Sequence, residues 1–188
     1  NTFVLDKNNR LWACGANTDG VLGQGTFDTY NNFVEVKIDG LNNEEITDIK
    51  LGQSSTQNNG AIITVENGKV YGCGHNLQGE LGIGNNINQT KFISLDEIDN
   101  TWYNAKDIIN SGLTTSVLQQ DGTLYRCGYN EGGSLGLGDT TNRNRLTKIT
   151  ENILDMELQN SILNIIDNNG NVQKIDDGMI NKLEGLQD

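Results

Sequence analysis

The residues of this chain that could do chemistry are concentrated in three glycine-rich stretches, each beginning with a cysteine. They read CGANTDGVLGQG from Cys14, CGHNLQGELGIG from Cys73 and CGYNEGGSLGLG from Cys127. Glycines at this density can bring backbone N–H groups against a phosphate, and cysteines can bind a metal ion or form disulfides. Both uses compete with a structural one, because glycine also serves turns that need a positive φ.

Repetition of the stretch favours the structural use. The copies share the pattern C-G-x-N-x-x-G-x-L-G-x-G at intervals of about 55 residues. A nucleotide site is needed only once and its glycines lead from a strand into a helix, but no helical pattern follows these glycines. We therefore predict no catalytic residue, no cofactor and no cofactor-binding residue here. The positions predicted to be structural are Gly15, Asn17, Gly20, Leu22, Gly23, Gly25, Gly74, Asn76, Gly79, Leu81, Gly82, Gly84, Gly128, Asn130, Gly133, Leu135, Gly136 and Gly138.

A two-residue turn lies between apolar segments upstream of each cysteine. These turns are Asn8-Asn9, Asn67-Gly68 and Asp121-Gly122, and a fourth copy, Asn169-Gly170, has no glycine-rich stretch after it. Both central residues of a type I′ turn need positive φ, which Asn, Asp and Gly tolerate best. The sequence therefore predicts a β-hairpin with a type I′ turn in every unit, and a degenerate last unit.

Alternating apolar residues predict two further strands in a unit, one before the hairpin and one after the glycine-rich stretch. The first kind lies at 46–49, 105–108 and 153–156, and the second at 33–36, 92–95 and 146–149. Four short strands in about 50 residues are typical of a β-propeller blade. We predict an all-β fold in which residues 1–188 form one repeat array, with approximate units at 1–45, 46–104, 105–151 and 152–188.

The repeats resemble those of the regulator of chromosome condensation family, in which a D-G hairpin precedes a stretch like W-G-x-N-x-x-G-Q-L-G-x-G. The segment from Gln119 to Ile149 follows that unit almost position by position. The resemblance implies a β-propeller whose blades are four-stranded antiparallel sheets. Cysteine stands where the family usually has tryptophan, and the Gln before the conserved Leu is replaced in all three copies, by Val21, Glu80 and Ser134.

Propellers of that family usually have seven blades, whereas this chain supplies three to four. We expect an incomplete propeller or an open arc, and three arrangements are open: a fragment of a longer polypeptide, a free arc, and two chains that associate to complete the ring. An arc would expose sheet faces, which favours self-association.

The remaining reactive side chains have structural explanations. Equivalent positions on neighbouring sheets are roughly 10 Å apart, too far for a disulfide, so Cys14, Cys73 and Cys127 are predicted to be free thiols without a metal. Free thiols favour a reducing or anaerobic environment, although the compartment stays unassigned. His75 corresponds to Ala16 and Tyr129, and we expect it at an exposed, variable position. The recurring Asp48, Asp107 and Asp155 are expected to make structural hydrogen bonds.

Charge and hydropathy restrict the partners. The formal net charge is −12 and the pI about 4.4, which argues against binding nucleic acid. No apolar run approaches the roughly 20 residues of a membrane-spanning helix. The sequence therefore predicts a soluble chain with a protein partner of unknown identity.

Three functions are compatible with the sequence. The first is a non-catalytic protein-interaction module that binds through rim loops, at 26–32, 85–91, 139–145 and 100–104. Its partner-binding candidates are Trp102, Tyr103, Arg143 and Arg145, because Trp, Tyr and Arg dominate binding hot spots; Trp102 could instead pack beneath its own segment. The family resemblance also implies a guanine-nucleotide exchange factor or regulator of a small GTPase, or a secreted or surface binder or enzyme inhibitor.

Overall fold

The computed structural model describes residues 1–52, 60–159, 162–176 and 179–182. Among these residues it contains four antiparallel sheets and one short 3₁₀ turn, Asn100–Trp102, which confirms the all-β prediction. Each sheet is a meander, with consecutive strands hydrogen-bonded as neighbours. Sheet 1 contains β1 (Thr2–Leu5), β2 (Leu11–Gly15) and β3 (Tyr30–Val36); sheet 2 contains β4 (Ile46–Leu51), β5 (Gly60–Val65), β6 (Val70–Gly74) and β7 (Gln89–Ser94); sheet 3 contains β8 (Asp107–Asn110), β9 (Thr114–Leu118), β10 (Leu124–Gly128) and β11 (Arg143–Thr150); sheet 4 contains β12 (Ile153–Gln159), β13 (Ile162–Asp167), β14 (Val172–Asp176) and β15 (Met179–Lys182).

The sheets pack face to face through three apolar clusters, one at each junction. Leu11 and Ala13 of sheet 1 pack with Ile63 of sheet 2, and Leu118 of sheet 3 packs with Leu163 of sheet 4. The first strands of sheets 2, 3 and 4 also approach one another, because β8 contacts both β4 and β12. The sheets are thus arranged like propeller blades, with these first strands innermost.

The hairpin turns differ from the predicted type I′ geometry. Only one residue of each predicted pair has a positive φ: Asn9, Gly68, Gly122 and Gly170, at 60°, 85°, 83° and 82°. The N–H of each bonds to the carbonyl three residues earlier, at 2.9–3.0 Å. This is a three-residue loop, a type I turn followed by one left-handed residue. The type I′ prediction was wrong, because the left-handed residue ends the loop instead of belonging to a symmetric pair.

The recurring aspartates make the structural hydrogen bonds that the sequence predicted. Oδ1 of Asp48, Asp107 and Asp155 each accepts a bond from the N–H of the next residue, at 2.8–2.9 Å. In β4 and β12 the register shifts at this position, which is a β-bulge or similar irregularity. The carboxylate therefore satisfies a donor where the inner strand departs from regular pairing.

Trp102 is completely buried at the junction of sheets 2 and 3. It packs with Leu81 and Leu95, and its ring lies beside Gly82 together with the sulfur of Cys127. Of its two predicted roles, only packing beneath its own segment agrees with this burial, so Trp102 is corrected from a binding candidate to a core residue. Cys127 occupies the position at which the family usually has a tryptophan. The indole of Trp102, from the connection between sheets, lies beside this cysteine.

We predict that Trp102→Ala lowers the free energy of unfolding by about 3–5 kcal/mol, because it leaves a large cavity between two sheets. Tyr103→Ala is the matched control. Its side chain is 45% exposed, so the expected change is within about 0.5 kcal/mol. Urea denaturation of both variants measures the difference. Equal, small losses would contradict the core role of Trp102.

Candidate interaction surface

The meander gives each sheet two chemically different ends. Hairpin turns and the connections between sheets, at 37–45, 95–106 and 151–152, lie at one end, which we call the turn face. The glycine-rich loops, at 16–29, 75–88 and 129–142, lie at the other, which we call the glycine-loop face. A protein that docks on one end therefore meets a different set of residues from one that docks on the other.

One buried asparagine closes each glycine-rich loop. Asn76 accepts a hydrogen bond from the N–H of Leu81 at 2.9 Å, and its Nδ2 donates to the carbonyls of Asn85 at 3.0 Å and Ile87 at 3.2 Å. Asn17 and Asn130 make the equivalent bonds to Leu22 and Leu135 and to the far side of their own loops. A single amide thus replaces the backbone partners that a loop of this length lacks.

The loops are shaped by contact with the next sheet. The leucines whose N–H groups bond to these asparagines are fully buried. Gly79, at φ 89°, lies so close to β11 that a Cβ at this position would be 2.5 Å from the Cα of Asn144. Cys73 donates its Sγ–H to the carbonyl of Val21, and Cys127 donates to that of Glu80, at 3.2 and 3.3 Å. The glycine-rich stretch therefore works as a joint between sheets.

The three cysteines are free thiols in the structure. Burial raises the pKa of the Cys73 and Cys127 thiols above their usual range, so both stay protonated and can donate the bonds just described. Across the described ranges, no three His, Cys, Asp or Glu side chains come together as a metal site would require, and no helix is long and apolar enough to cross a bilayer.

His75 is buried, which corrects the prediction of an exposed position. Its side chain is 3% exposed and Nδ1 bonds to Oε1 of Glu80, which is itself fully buried and accepts from the N–H of Gln78 at 3.0 Å. Sequence comparison of single positions missed this pair because Ala16 and Val21, the equivalents in sheet 1, carry no charge. The two residues are five apart and bracket Leu77 and Gln78.

The predicted binding residues do not form one site. Tyr103 is exposed on the turn face, whereas Arg143 and Arg145 begin β11 beside the glycine-loop face. Arg143 bonds to Asp139 at 2.6 Å, and Arg145 is exposed, with its guanidinium beside Gly84 of the neighbouring loop. Only the two arginines can therefore act together on a single partner surface.

Three exposed apolar side chains on the glycine-loop face were not named as binding candidates from the sequence, although two of them lie in the predicted rim loops 26–32 and 85–91. Phe27, Leu77 and Ile87 are 56%, 55% and 65% exposed. Leu77 stands where the other repeats have Thr18 and Glu131, so an apolar residue at a position that is polar elsewhere was the available signal. Aromatic and arginine residues had been preferred as candidates instead.

Side-chain amides join neighbouring loops across this face. Asn88 bonds to Asp19 at 3.3 Å, Asn142 to Gln78 at 2.7 Å and Asn144 to Asn86 at 3.2 Å. Within one loop, Asn86 also donates to the carbonyl of Leu77 at 2.9 Å. The exposed apolar side chains consequently project from backbone that is held at both ends.

We predict that the His75–Glu80 pair makes stability depend on pH. Burial lowers the pKa of His75, but the hydrogen bond and charge of Glu80 and the charge of Asp19 outweigh it and raise the pKa above 6.5. The pair therefore contributes fully below about pH 6.5 and loses its contribution as the pH rises through the raised pKa. Urea denaturation between about pH 5.5 and 8.5 should show this loss in the wild type and not in His75→Gln. Parallel pH profiles would contradict it.

Known proteins are similar to this chain in sequence and in fold. The model of the family described as "Regulator of chromosome condensation (RCC1) repeat" matches residues 8–56. The X-linked retinitis pigmentosa GTPase regulator of the dog is 31% identical over 141 residues, which are 75% of this chain and 13% of that protein. This chain thus spans only a small part of that relative.

Two solved structures have the same arrangement of sheets. Human WBSCR16 matches with a TM-score of 0.76 at 14% identity, over 97% of this chain and 49% of that one. Prp20p from Saccharomyces cerevisiae matches with a TM-score of 0.63 at 20% identity, over 82% of this chain and 38% of that one. At these identities the structures show the shared fold, and the matched repeat adds the sequence signature. The repeats of this chain are therefore of the regulator of chromosome condensation type.

Proposed function

We propose that this chain is a non-catalytic protein-interaction module that binds its partner through the glycine-loop face. The observation that carries the proposal is the exposure of Leu77 and Ile87 on loops where the backbone carbonyl of each accepts a hydrogen bond from an asparagine side chain. Burying such side chains against a partner releases water from apolar surface. Because the loops are already fixed, little conformational entropy is lost on binding.

Arg143 and Arg145 supply polar contacts next to this apolar pair. Arginine is enriched in binding hot spots and can bond to a carboxylate through two N–H groups. Asn142 and Asn144, on either side of Arg143, bond to residues of the neighbouring loop. The result is an apolar centre with a polar edge, the arrangement common in protein–protein interfaces.

The similar proteins support an interaction role. The structure of Prp20p was described together with its binding to Gsp1p and histones, and another structure shows yeast RCC1, Prp20, bound to Kap60. These partners belong to Prp20p. For this chain they support recognition of a protein without identifying which protein.

Two further features of the chain are part of this proposal. The outward face of sheet 1 carries Val4, 43% exposed and paired across the strands with Trp12, and self-association through this face would bury that pair. The free thiols favour a reducing or anaerobic environment. Sedimentation over a range of concentrations tests the first of these.

We predict that Leu77→Ser and Ile87→Ser together weaken partner binding by about tenfold or more, because two apolar contacts are lost. The partner is first captured with the wild-type protein, and the Kd of each variant for it is then measured by calorimetry. Tyr103→Ser, also at an exposed position but on the turn face, is the control and should leave the Kd unchanged. If the control alone weakens binding, the partner docks on the turn face and the proposal is wrong.

Regulation of a small GTPase is the second candidate function. It is favoured by the similarity to a protein named as a GTPase regulator and to Prp20p, whose binding to Gsp1p was studied. An exchange factor accelerates nucleotide release, which an interaction module does not. Release of a fluorescent GDP analogue from any captured GTPase, with and without this protein, distinguishes the two functions.

A further inference from the structure

Arg126 is a buried cation at the junction of sheets 3 and 4. It lies on β10, at the position occupied by Ala13 in sheet 1 and Gly72 in sheet 2, and its side chain is on the same side of the strand as Leu124, which packs against sheet 4. Only 4% of Arg126 is exposed. Two small residues are thus replaced by a long charged one at a single junction.

The known contacts of the guanidinium are neutral. Nε donates to Oγ of Ser116 at 2.9 Å, and Nη1 donates to the carbonyl of Ser134. Within the described ranges, every ion pair involves other cations, so no carboxylate lies within 4 Å of Arg126. Burial lowers its pKa to about 10, which leaves the group charged at neutral pH. A buried charge without a counter-charge is costly.

The bond to Ser134 explains part of this arrangement. At the first two junctions the equivalent carbonyls, of Val21 and Glu80, accept a hydrogen bond from a cysteine of the next sheet. At the third junction Ile175 stands where that cysteine would be and cannot donate. Arg126 supplies the missing donor, but a hydrogen bond to a neutral carbonyl needs no charge on the donor, so this role leaves the charge unexplained.

Part of the guanidinium remains free for a ligand. It has five N–H donors, and the two bonds above use two of them. Across the described residues, the buried polar side-chain atoms without a partner are Nε1 of Trp102 and Nδ2 of Asn110. No nitrogen of Arg126 is therefore both completely buried and unpartnered, so Nη2, which makes no bond among the described residues, keeps a small exposed area beside Ser134 of the third glycine-rich loop.

We propose that Arg126 forms a carboxylate-binding site at the mouth between sheets 3 and 4, occupied by an acidic side chain of the protein partner. This inference rests on the proposed use of the glycine-loop face. A single cation with parallel N–H groups suits a planar, singly charged carboxylate, whereas a phosphate usually needs several cations or a row of backbone N–H groups. Charge neutralisation on binding would offset the cost of burying the guanidinium.

Nuclear magnetic resonance of the arginine Nε–Hε groups tests the site directly, with acetate as the probe. Acetate replaces chloride at constant ionic strength in the ¹⁵N-labelled protein. We expect a saturable shift of the Arg126 signal and no saturable shift of Arg10, the matched control, whose Nε already donates to Asp6 at 2.8 Å in the first hairpin turn. No saturable shift at Arg126, or a larger response to phosphate at equal concentration, would overturn the assignment.

Arg126→Gln provides a second test because it removes the charge while its amide, at the level of the arginine Nε, can still donate to Ser116. We expect it to abolish acetate binding and to weaken the affinity for the captured partner about tenfold or more, the loss expected for one charge-assisted bond. If the wild-type protein binds acetate but Arg126→Gln leaves the Kd for the partner unchanged, the site takes a free anion, contrary to the proposed occupant. Failure of Leu77→Ser and Ile87→Ser to affect the partner, with Arg126 still binding acetate, would refute the proposed face and not the anion site.

Discussion

The side-chain amide of one asparagine in each of the first three sheets determines how those sheets meet the next. By accepting from the N–H of a leucine five residues later and donating to carbonyls on the far side of the loop, Asn76 fixes the leucine in the apolar junction. The buried amide replaces several backbone partners, and its own groups are all satisfied, so it carries little desolvation cost. The glycines, the sulfur contacts and the exposed loop residues all take their positions from this closure.

The sequence contained the repeat unit and its strands because both depend on local pattern. The repeated asparagine and leucine were also recognisable, since each occurs at a fixed place in three copies. The left-handed hairpin residue and the His75–Glu80 pair were not, and the burial of Trp102 was only one of two alternatives. The left-handed residue of the hairpins, the burial of Trp102 and the His75–Glu80 pair depend respectively on loop closure, on space beside a smaller cysteine and on contact across a loop. None of these is visible when one position is compared with its equivalents.

The two ends of the sheets differ in chemistry. The turn face carries exposed acidic side chains such as Glu45, Glu66 and Glu97, whereas the glycine-loop face combines apolar side chains with asparagines, two arginines and the acidic residues Asp28, Glu131 and Asp139. Because the chain has a net charge of −12, a carboxylate of a partner would be attracted only at short range, by cations such as Arg145 beside the glycine-loop face. The same fold therefore offers a partner two surfaces, of which one joins apolar contacts to recognition of negative charge.

Hydrogen–deuterium exchange of the protein with and without its captured partner tests the central claim most directly, because it reports which end is covered. The account predicts slower exchange in the exposed parts of the glycine-rich loops, at 76–88 and 130–142, and unchanged exchange at 96–104 on the turn face. Protection confined to 96–104 and the hairpin turns would contradict it. In that case the partner would bind the acidic end, and the exposed apolar loop residues would have another use.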